Sequence, residues 1–592
     1  MTSENQISIV GRNIQEKATV IWNVANSLFG AYKPHEYGLV ILTMTLIKRF
    51  HDCLLATRQN VLDTYEKIKH LAVKDGFLRK ASGYAFYNTS PFTFETLRAD
   101  ADNIEDNFRA YINGFSENVQ DILTQMDFDT QIKRMSEAGL LYQVIVDFCS
   151  EKADMHPDKI QAVDMGYIFE NLVQRFSESY DEEAGAHFTS RDIIYAMCDL
   201  LVTDDNSDSS EGLNKTVYDM TMGTSQMLTC MEERLKQLDA DAAVTTFGQE
   251  LNPFTYGIAK ADMLIRGGNP DNMKFGDTLN NDQFSGYTFD YIISNPPFGI
   301  DWKREAQAVE EEAKKGAQGR FGAGLPSKSD GQMLFMLNGV AKLAEGGRMA
   351  IIQNGSSLFT GDAGSGPSEI RRYLIENDWL DAIIQLPNDS FYNTGIATYV
   401  WIVTKDKLDA HQGKVQLIDA SQCYEPRRKP IGNKRVDITD ACRALLVKAY
   451  GEYVSDDYEE TLENGRTIVC KSRVMDNVEL GYNKIVVESP ELDAAGKKIL
   501  KKGKPVADSA KRDTENVPLN QDINDYLARE VLPYNPDAWI DKSKTKVGYE
   551  IPFTRTFYVY KELEKAADIA ARIEAHEKSL MEKLHTLFGE EA

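Results

Sequence analysis

Val217-Tyr218-Asp219-Met220-Thr221-Met222-Gly223-Thr224-Ser225-Gln226-Met227-Leu228 reads as an apolar strand, a tight turn of small residues and the first turn of a helix. A strand that feeds a helix through such a turn predicts one unit of an open α/β sheet, with the turn facing a ligand crevice. A nucleotide-like cofactor also needs an acid after the next strand to hold its ribose hydroxyls. Phe247-Gly248-Gln249-Glu250 supplies that acid, and Glu250 is the predicted ribose ligand. Further on, Gly276-Asp277-Thr278-Leu279 brings Asp277 to where a loop can meet the adenine of such a cofactor. Each element alone is an ordinary turn or loop, and their order gives them meaning.

Outward from this turn, residues 155 to 420 alternate strands with helices. Thr216 to Asp219, Thr245 to Gln249, Asp290 to Ser294, Arg348 to Gln353, Leu380 to Leu386 and Thr398 to Thr404 are candidate strands, with helices over Gln332 to Leu343 and Glu369 to Glu376. That alternation predicts a parallel sheet covered on both faces, with ligands beyond the carboxyl ends of its strands. Asp219, Glu250 and Asn295 all fall at such ends.

Asn295-Pro296-Pro297-Phe298 closes the apolar run 289–294. An exocyclic amine on a base is a poor nucleophile because its lone pair is delocalised into the ring. Two acceptors beside its hydrogens draw it towards tetrahedral geometry, and the Asn295 side-chain oxygen and the Pro296 carbonyl can serve. Consecutive prolines fix the backbone that presents them, which is preorganisation for methyl transfer to an amine. Phe298 offers a flat face for an extruded base. The plain alternative is an Asn-Pro-Pro turn that only ends a strand.

Upstream, Ala186-His187-Phe188-Thr189-Ser190-Arg191 opens an amphipathic helix through Ile193, Ile194, Met197 and Leu201. Thr189 or Ser190 can cap it, and the loop with Phe188 can line the far part of a cofactor pocket.

Residues 1–150 look helical: Ile21, Val24, Ala25 and Leu28 keep a 3.6-residue period, as do Val40, Ile41, Met44, Ile47 and Lys48, with a break over Gly30 to Glu36. Residues 421–555 read as irregular and charged. The end, 556–592, predicts a helix over Tyr560 to Leu587. Leu563, Ala566, Ala570, Ile573, Leu580, Leu584 and Leu587 make one seam, interrupted by Glu577, which either packs on this chain or meets another.

Composition narrows the classes. At 592 residues the chain predicts several domains, and no stretch is apolar enough for a membrane span. The N-terminus shows no secretory pattern. Seven scattered cysteines without a C-x-x-C argue against disulfides and zinc, predict no metal site, and fit a reducing cytoplasm. A formal charge of −25 opposes a chain that coats DNA unaided. Arg427-Arg428-Lys429 with Lys434-Arg435, and Lys497-Lys498 with Lys501, Lys502 and Lys504, are local basic candidates, each also readable as a solvated loop.

Assembled, these residues resemble the modification (M) subunits of type I restriction-modification systems, the HsdM family of adenine N6 DNA methyltransferases. The likeness runs from Ile21-Trp22-Asn23-Val24-Ala25 and Glu36-Tyr37 through Phe188-Thr189-Ser190-Arg191 to Asp330-Gly331-Gln332, Gly346 to Ala350 and Leu386-Pro387. It implies a Rossmann-like α/β S-adenosylmethionine-dependent methyltransferase core, a helical N-terminal domain and a C-terminal helical tail. It further implies S-adenosyl-L-methionine as methyl donor, adenine in double-stranded DNA as acceptor, and two M chains on one specificity (S) subunit. That assembly can recruit a nuclease (R) subunit, and the C-terminal seam becomes a contact with the S subunit. By position, Ala186, His187, Phe188, Thr189, Ser190, Arg191, Asp219, Gly223, Thr224, Ser225, Gln226, Glu250 and Asp277 match the family's cofactor-binding residues, and Asn295, Pro296, Pro297 and Phe298 its catalytic loop.

The chain departs from the family pattern at the turn. Met220 stands where a proline is usual, Ser225-Gln226 where glycines are, and Ser190 where another proline is. Glycine permits positive φ and close backbone approach, so these changes predict a weaker grip on the cofactor. They leave open a non-catalytic scaffold of a restriction or defence complex, and the Asn-Pro-Pro-aromatic loop leaves open methylation of another amine, in RNA or on a protein glutamine.

Overall fold

The computed structural model describes residues 17–179, 189–203, 213–560 and 564–588. The chain divides into two compact units, Met1–Ile551 and Pro552–Ala592.

In the first unit, residues 17–28 form a helix that buries Ile21, Val24, Ala25 and Leu28. Gly30, at φ +90°, reverses the chain into α1 (Tyr37–Leu54). Helix α1 is buried almost all round. It keeps Lys48 and Asp52 inside by pairing them at 2.5 Å, as buried charges require. No helix among the described residues is long and apolar enough to cross a membrane. These helices and the shorter ones from Phe94 to Phe148 share one apolar core with Met165, Ile168, Phe169 and Leu172 of α2 (Ala162–Ser179), while Val61, Leu78 and Ala81 form a small cluster of their own.

The next helices are α3 (Arg191–Val202), α4 (Gln226–Leu238) and α5 (Pro253–Ile265). Helix α5 starts where Asn252 accepts hydrogen bonds from the Phe254 and Thr255 amides with Pro253 in the first turn, a strong start signal. Its Ile258, Ala261, Leu264 and Ile265 enter the N-terminal core, so the helical region packs onto the helix that follows Glu250.

The strands are β1 (Asn214–Asp219), β2 (Ala243–Glu250), β3 (Met273–Phe275), β4 (Phe289–Ser294), β5 (Leu343–Asn354), β6 (Leu380–Gln385), β7 (Thr398–Thr404), β8 (Lys414–Gln422), β9 (Glu425–Ile431), β10 (Lys434–Asp437), β11 (Asp457–Thr461), β12 (Thr467–Asp476) and β13 (Gly481–Glu488). Ten of them form one sheet in the order β11-β12-β8-β6-β7-β5-β4-β1-β2-β3. The order reverses at β1, which pairs in parallel with β2 on one side and β4 on the other. Helices α6 (Gln332–Lys342) and α7 (Gly366–Glu376) are the crossovers before and after β5. All six candidate strands are present.

Two expectations are corrected. The sheet is mixed: β7 lies antiparallel between β5 and β6, because 386–397 holds no crossover helix and a parallel return needs one. Residues 421–550, read as irregular, are built. After the β9–β10 ribbon comes α8 (Asp440–Glu452); β12 then adds antiparallel to β8 and β11 antiparallel to β12, extending the main sheet. Strand β13 centres a small sheet with 513–518, 539–540 and 546–549. A local reading misses such strands because β11 alternates one buried residue, Tyr458, with exposed charge.

In the second unit, α9 is Ala566–Phe588, so the helix begins after Tyr560. Leu563 lies outside the described residues. Ile569, Ile573, Leu580, Met581 and Leu584 are exposed along it.

Candidate active site

A cavity of about 380 Å³ opens beyond the carboxyl ends of β1, β2 and β4, where the sheet order reverses. Crevices form there because neighbouring strands send their connections to opposite faces. Of the sequence-predicted residues, Thr189, Asp219, Gly223, Thr224, Gln226, Glu250, Asp277, Asn295 and Pro297 line it. Met222, Met227, Ile194 and Phe335 supply apolar wall, and no Lys, Arg or His is among the described lining residues.

The turn after β1 keeps a glycine-like backbone without the second glycine. Gly223 sits at φ +52° and Ser225 at φ +66°, a conformation that strains a residue bearing a Cβ. The Gly223 amide donates to Glu250 Oε2 at 2.8 Å, the Ser225 amide to the Met222 carbonyl at 2.7 Å, and the Asn252 amide to Glu250 Oε1 at 2.8 Å. Glu250 thus clasps the turn to the end of β2 and still borders the cavity. Gln226, in the place of a glycine, lines the cavity. Its Nε2 reaches the Gly166 carbonyl of α2 at 3.5 Å, and its Oε1 is buried with no hydrogen-bond partner among the described residues.

Asp219 is buried at the base. Ser294 Oγ donates to its Oδ1 at 2.6 Å, the Thr221 amide does so at 3.0 Å, and Thr221 and Ser294 hydroxyls meet at 2.8 Å. This knot fastens the ends of β1 and β4 together. Burial pushes the Asp219 carboxyl up to about 7, against the lowering effect of the Ser294 and Thr221 hydrogen bonds.

At the end of β4, Asn295 Nδ2 donates to Thr189 Oγ1 at 2.8 Å. Its Oδ1 is buried with no hydrogen-bond partner among the described residues, although the residue lines the cavity. A buried acceptor left empty is costly and marks a place for a donor. Downstream, the Gly331 amide donates to the Ile300 carbonyl at 2.9 Å, tying the loop to the start of α6.

Several predicted residues stand elsewhere. Ser190 occupies the cap position of α3 but makes no side-chain cap. Arg191 is buried behind the wall, its guanidinium 3.6 Å over the Tyr167 ring, where it ties α3 to α2. Ser225 shapes the turn from within and Pro296 is buried beneath the loop. Phe298 is half-buried against the sheet core, outside the cavity wall. Ala186, His187 and Phe188 lie outside the described residues. The sequence reading missed Thr221 and Ser294, and also Arg320, which braces the loop bearing Asp277 by donating to the Thr278 carbonyl at 2.7 Å while paired with Glu312 at 2.7 Å. Hydroxyls and a lone arginine carry no local signal for such long-range contacts.

With this geometry in place, residues 161–484 match the N-6 DNA methylase family model and residues 18–148 the HsdM N-terminal domain model. The chain is similar to the type I restriction enzyme MjaIX methylase subunit of Methanocaldococcus jannaschii, 24% identical over 322 residues, 54% of this chain and 54% of that protein. It is also similar to the HindI methylase subunit of Haemophilus influenzae, 24% identical over 318 residues, 53% of this chain and 65% of that protein. The chain therefore spans less than two thirds of the length of these curated relatives. Among solved structures, the type I restriction-modification methyltransferase subunit of Streptococcus thermophilus aligns with TM-score 0.60 at 21% identity, covering 79% of this chain and 97% of that one, which shows a shared fold. Since the larger family model takes in more than half of the sequence and the HsdM model most of what precedes it, the chain belongs to the N-6 DNA methylase family and carries an HsdM N-terminal domain.

Proposed function

We propose that this chain is the modification subunit of a type I restriction-modification system, a cytoplasmic DNA methyltransferase acting on N6 of an adenine turned out of the duplex. The observation that carries the reading is Asn295 Oδ1: a buried, empty acceptor, oriented by Thr189, on the wall of a nucleoside-sized cavity.

The cavity fits S-adenosyl-L-methionine. Its described lining holds Asp219, Glu250 and Asp277 without a cation, which suits a phosphate-free, positively charged nucleoside and opposes a dinucleotide. Glu250 would take the ribose hydroxyls and Asp277 the adenine side, with Met222, Met227 and Ile194 against the apolar parts. Bound there, the cofactor supplies a methyl group activated by its sulfonium charge. Asn295 Oδ1 accepts one amine hydrogen of the target adenine and the Pro296 carbonyl the other, which moves lone-pair density from the ring onto N6. The prolines hold both acceptors, so little reorganisation is needed. The surplus proton leaves after transfer, and no general base is required.

A specificity subunit would choose the DNA sequence, a second M chain would complete the methyltransferase, and a nuclease subunit could join it. The exposed apolar positions of α9, Ile569, Ile573, Leu580 and Leu584, support a helix-to-helix contact with the specificity subunit. Methylation-aware sequencing of DNA from cells expressing the chain with its specificity subunit tests the reading. A single motif should carry N6-methyladenine, and Asn295→Ala should erase it. Gln226 in the cavity wall favours a second reading, a scaffold without methylation. Calorimetry giving no heat with S-adenosylmethionine, alone and in the complex, would decide for it.

A further inference from the structure

The β9–β10 ribbon is a small charged element with an anchored face and an open one. Its turn, Gly432-Asn433, is tight. Gly432 sits at φ +54°, a Cβ there would meet the Tyr392 carbonyl oxygen at 2.5 Å, and the Asn433 amide donates to that same oxygen at 2.9 Å. Inward, Ile431 joins the N-terminal core. Lys434, almost fully buried, pairs with Asp192 Oδ2 at 2.8 Å and donates to the Ser390 carbonyl at 3.1 Å. The Ile438 amide also donates to Asp192, at 2.9 Å, and the Arg435 amide to the Asp389 carbonyl at 2.9 Å.

These anchors fix where the ribbon stands. Asp192 is in the first turn of α3, three positions from the Thr189 that orients Asn295. Asp389, Ser390 and Tyr392 belong to the connection leaving the carboxyl end of β6. Strand β6 runs parallel to β5 and β4, since β7 is antiparallel to both β5 and β6. The ribbon is therefore held on the edge of the sheet where the cavity opens.

The exposed charge of the ribbon is mainly cationic. Arg428, Lys429 and Arg435 are exposed and make no ion pair among the described residues, whereas Arg427 is committed to Asp437. In a chain of charge −25, three unpaired cations on an anchored ribbon, in the stretch where its register shifts, are a local inversion of sign. A twisted two-stranded ribbon also matches the width of a DNA major groove.

Building on the proposed DNA substrate, we infer that the exposed cations of the β9–β10 ribbon, Arg428, Lys429 and Arg435, grip the phosphates of the duplex that flank the target adenine. The lysine hairpin Lys501, Lys502 and Lys504 is equally exposed but lies in the loop between β13 and 513–518, without anchors to this face.

The test compares the full chain with Arg428→Gln/Lys429→Gln/Arg435→Gln and with Lys501→Gln/Lys502→Gln/Lys504→Gln as a charge-matched control. Binding of a fluorescent mixed-sequence duplex is titrated over a range of salt, with S-adenosylmethionine binding and melting temperature as readouts of an intact fold. The ribbon variant should bind about tenfold or more weakly, and the slope of log K against log salt should fall by about 2–3, from roughly 0.9 per phosphate contact. The control should stay near wild type. Equal losses in both variants, no loss in the ribbon variant, or a loss matched by a fall in cofactor binding or melting temperature would each overturn the inference. Loss of co-purification with a partner subunit at unchanged duplex affinity would also overturn it, in favour of a protein contact. The assay reads binding and not methyl transfer, so a failing ribbon leaves the Asn295 reading standing, and a chain that methylates nothing can still support the ribbon.

Discussion

Thr189 Oγ1 accepts a hydrogen bond at 2.8 Å from Asn295 Nδ2, 106 positions away in the sequence. The bond leaves Asn295 Oδ1 as the end of the amide that is buried without a hydrogen-bond partner among the described residues. Under the proposed function this makes Thr189 a positioning residue for the amine acceptor, a role its sequence context did not suggest. Thr189→Val should slow methyl transfer by about 100-fold, the scale of an ångström misplacement at a reacting centre, with little change in KM for S-adenosylmethionine. Thr189→Ser, which keeps the hydroxyl, should restore most of the rate. Steady-state kinetics of both variants make the check.

Ser225 holds a left-handed conformation at φ +66° that glycine adopts without strain. Ser225→Gly should raise stability by about 0.5–1 kcal/mol, the left-handed penalty less the extra entropy of glycine in the unfolded chain. Ser225→Val should lower it. Chemical denaturation measures both, and calorimetry with S-adenosylmethionine should show tighter binding for the glycine variant.

Asp219 couples stability to pH. Its carboxyl is raised by burial to about 7, from an ordinary value of 3.8. Between those values the folded protein keeps a proton that the unfolded chain releases. The contribution of this group is full below about pH 4, falls as pH rises through 7 and is then constant. Asp219→Asn can keep the hydrogen bonds from Ser294 and Thr221 and carries no such penalty. Its melting temperature relative to wild type should climb from pH 4 to 7 and level off above. A flat difference across that range would refute the buried-carboxyl account.

Glu250 clasps Gly223 and Asn252 while bordering the cavity. Glu250→Gln keeps an acceptor for one clasp and loses the charge-assisted grip on ribose hydroxyls proposed for the carboxylate. It should raise KM for S-adenosylmethionine about tenfold or more and change kcat far less.

The sheet was legible where sequence is local. The turn after β1, Glu250 after β2 and Asn295 after β4 each mark a strand end, because burial on both faces makes the strands short apolar runs with polar ends. The illegible parts depend on distant pairing. The antiparallel insertion of β7 follows from a missing crossover, and the local β11–β12 hairpin joins the sheet only through β8, well upstream of it in the chain. Within the site, the side chains facing the cavity could be read from their place at strand ends. Arg191 and Phe298 could not, since a helix start and a loop end do not reveal which way a side chain turns: one lies over Tyr167 and the other against the sheet core. The altered turn is the instructive case. The sequence shows the missing glycines, and the structure shows that Ser225 adopts the glycine conformation regardless.

The central claim is that Asn295 Oδ1 receives the target amine. The most direct measurement is single-turnover methyl transfer from labelled S-adenosylmethionine to duplex DNA by the complex carrying Asn295→Ala, with cofactor affinity measured on the same preparation. The account predicts transfer reduced by about 100- to 1000-fold, the scale of losing a preorganised hydrogen-bonding group, with cofactor affinity within about threefold of wild type. Transfer at a wild-type rate would contradict it.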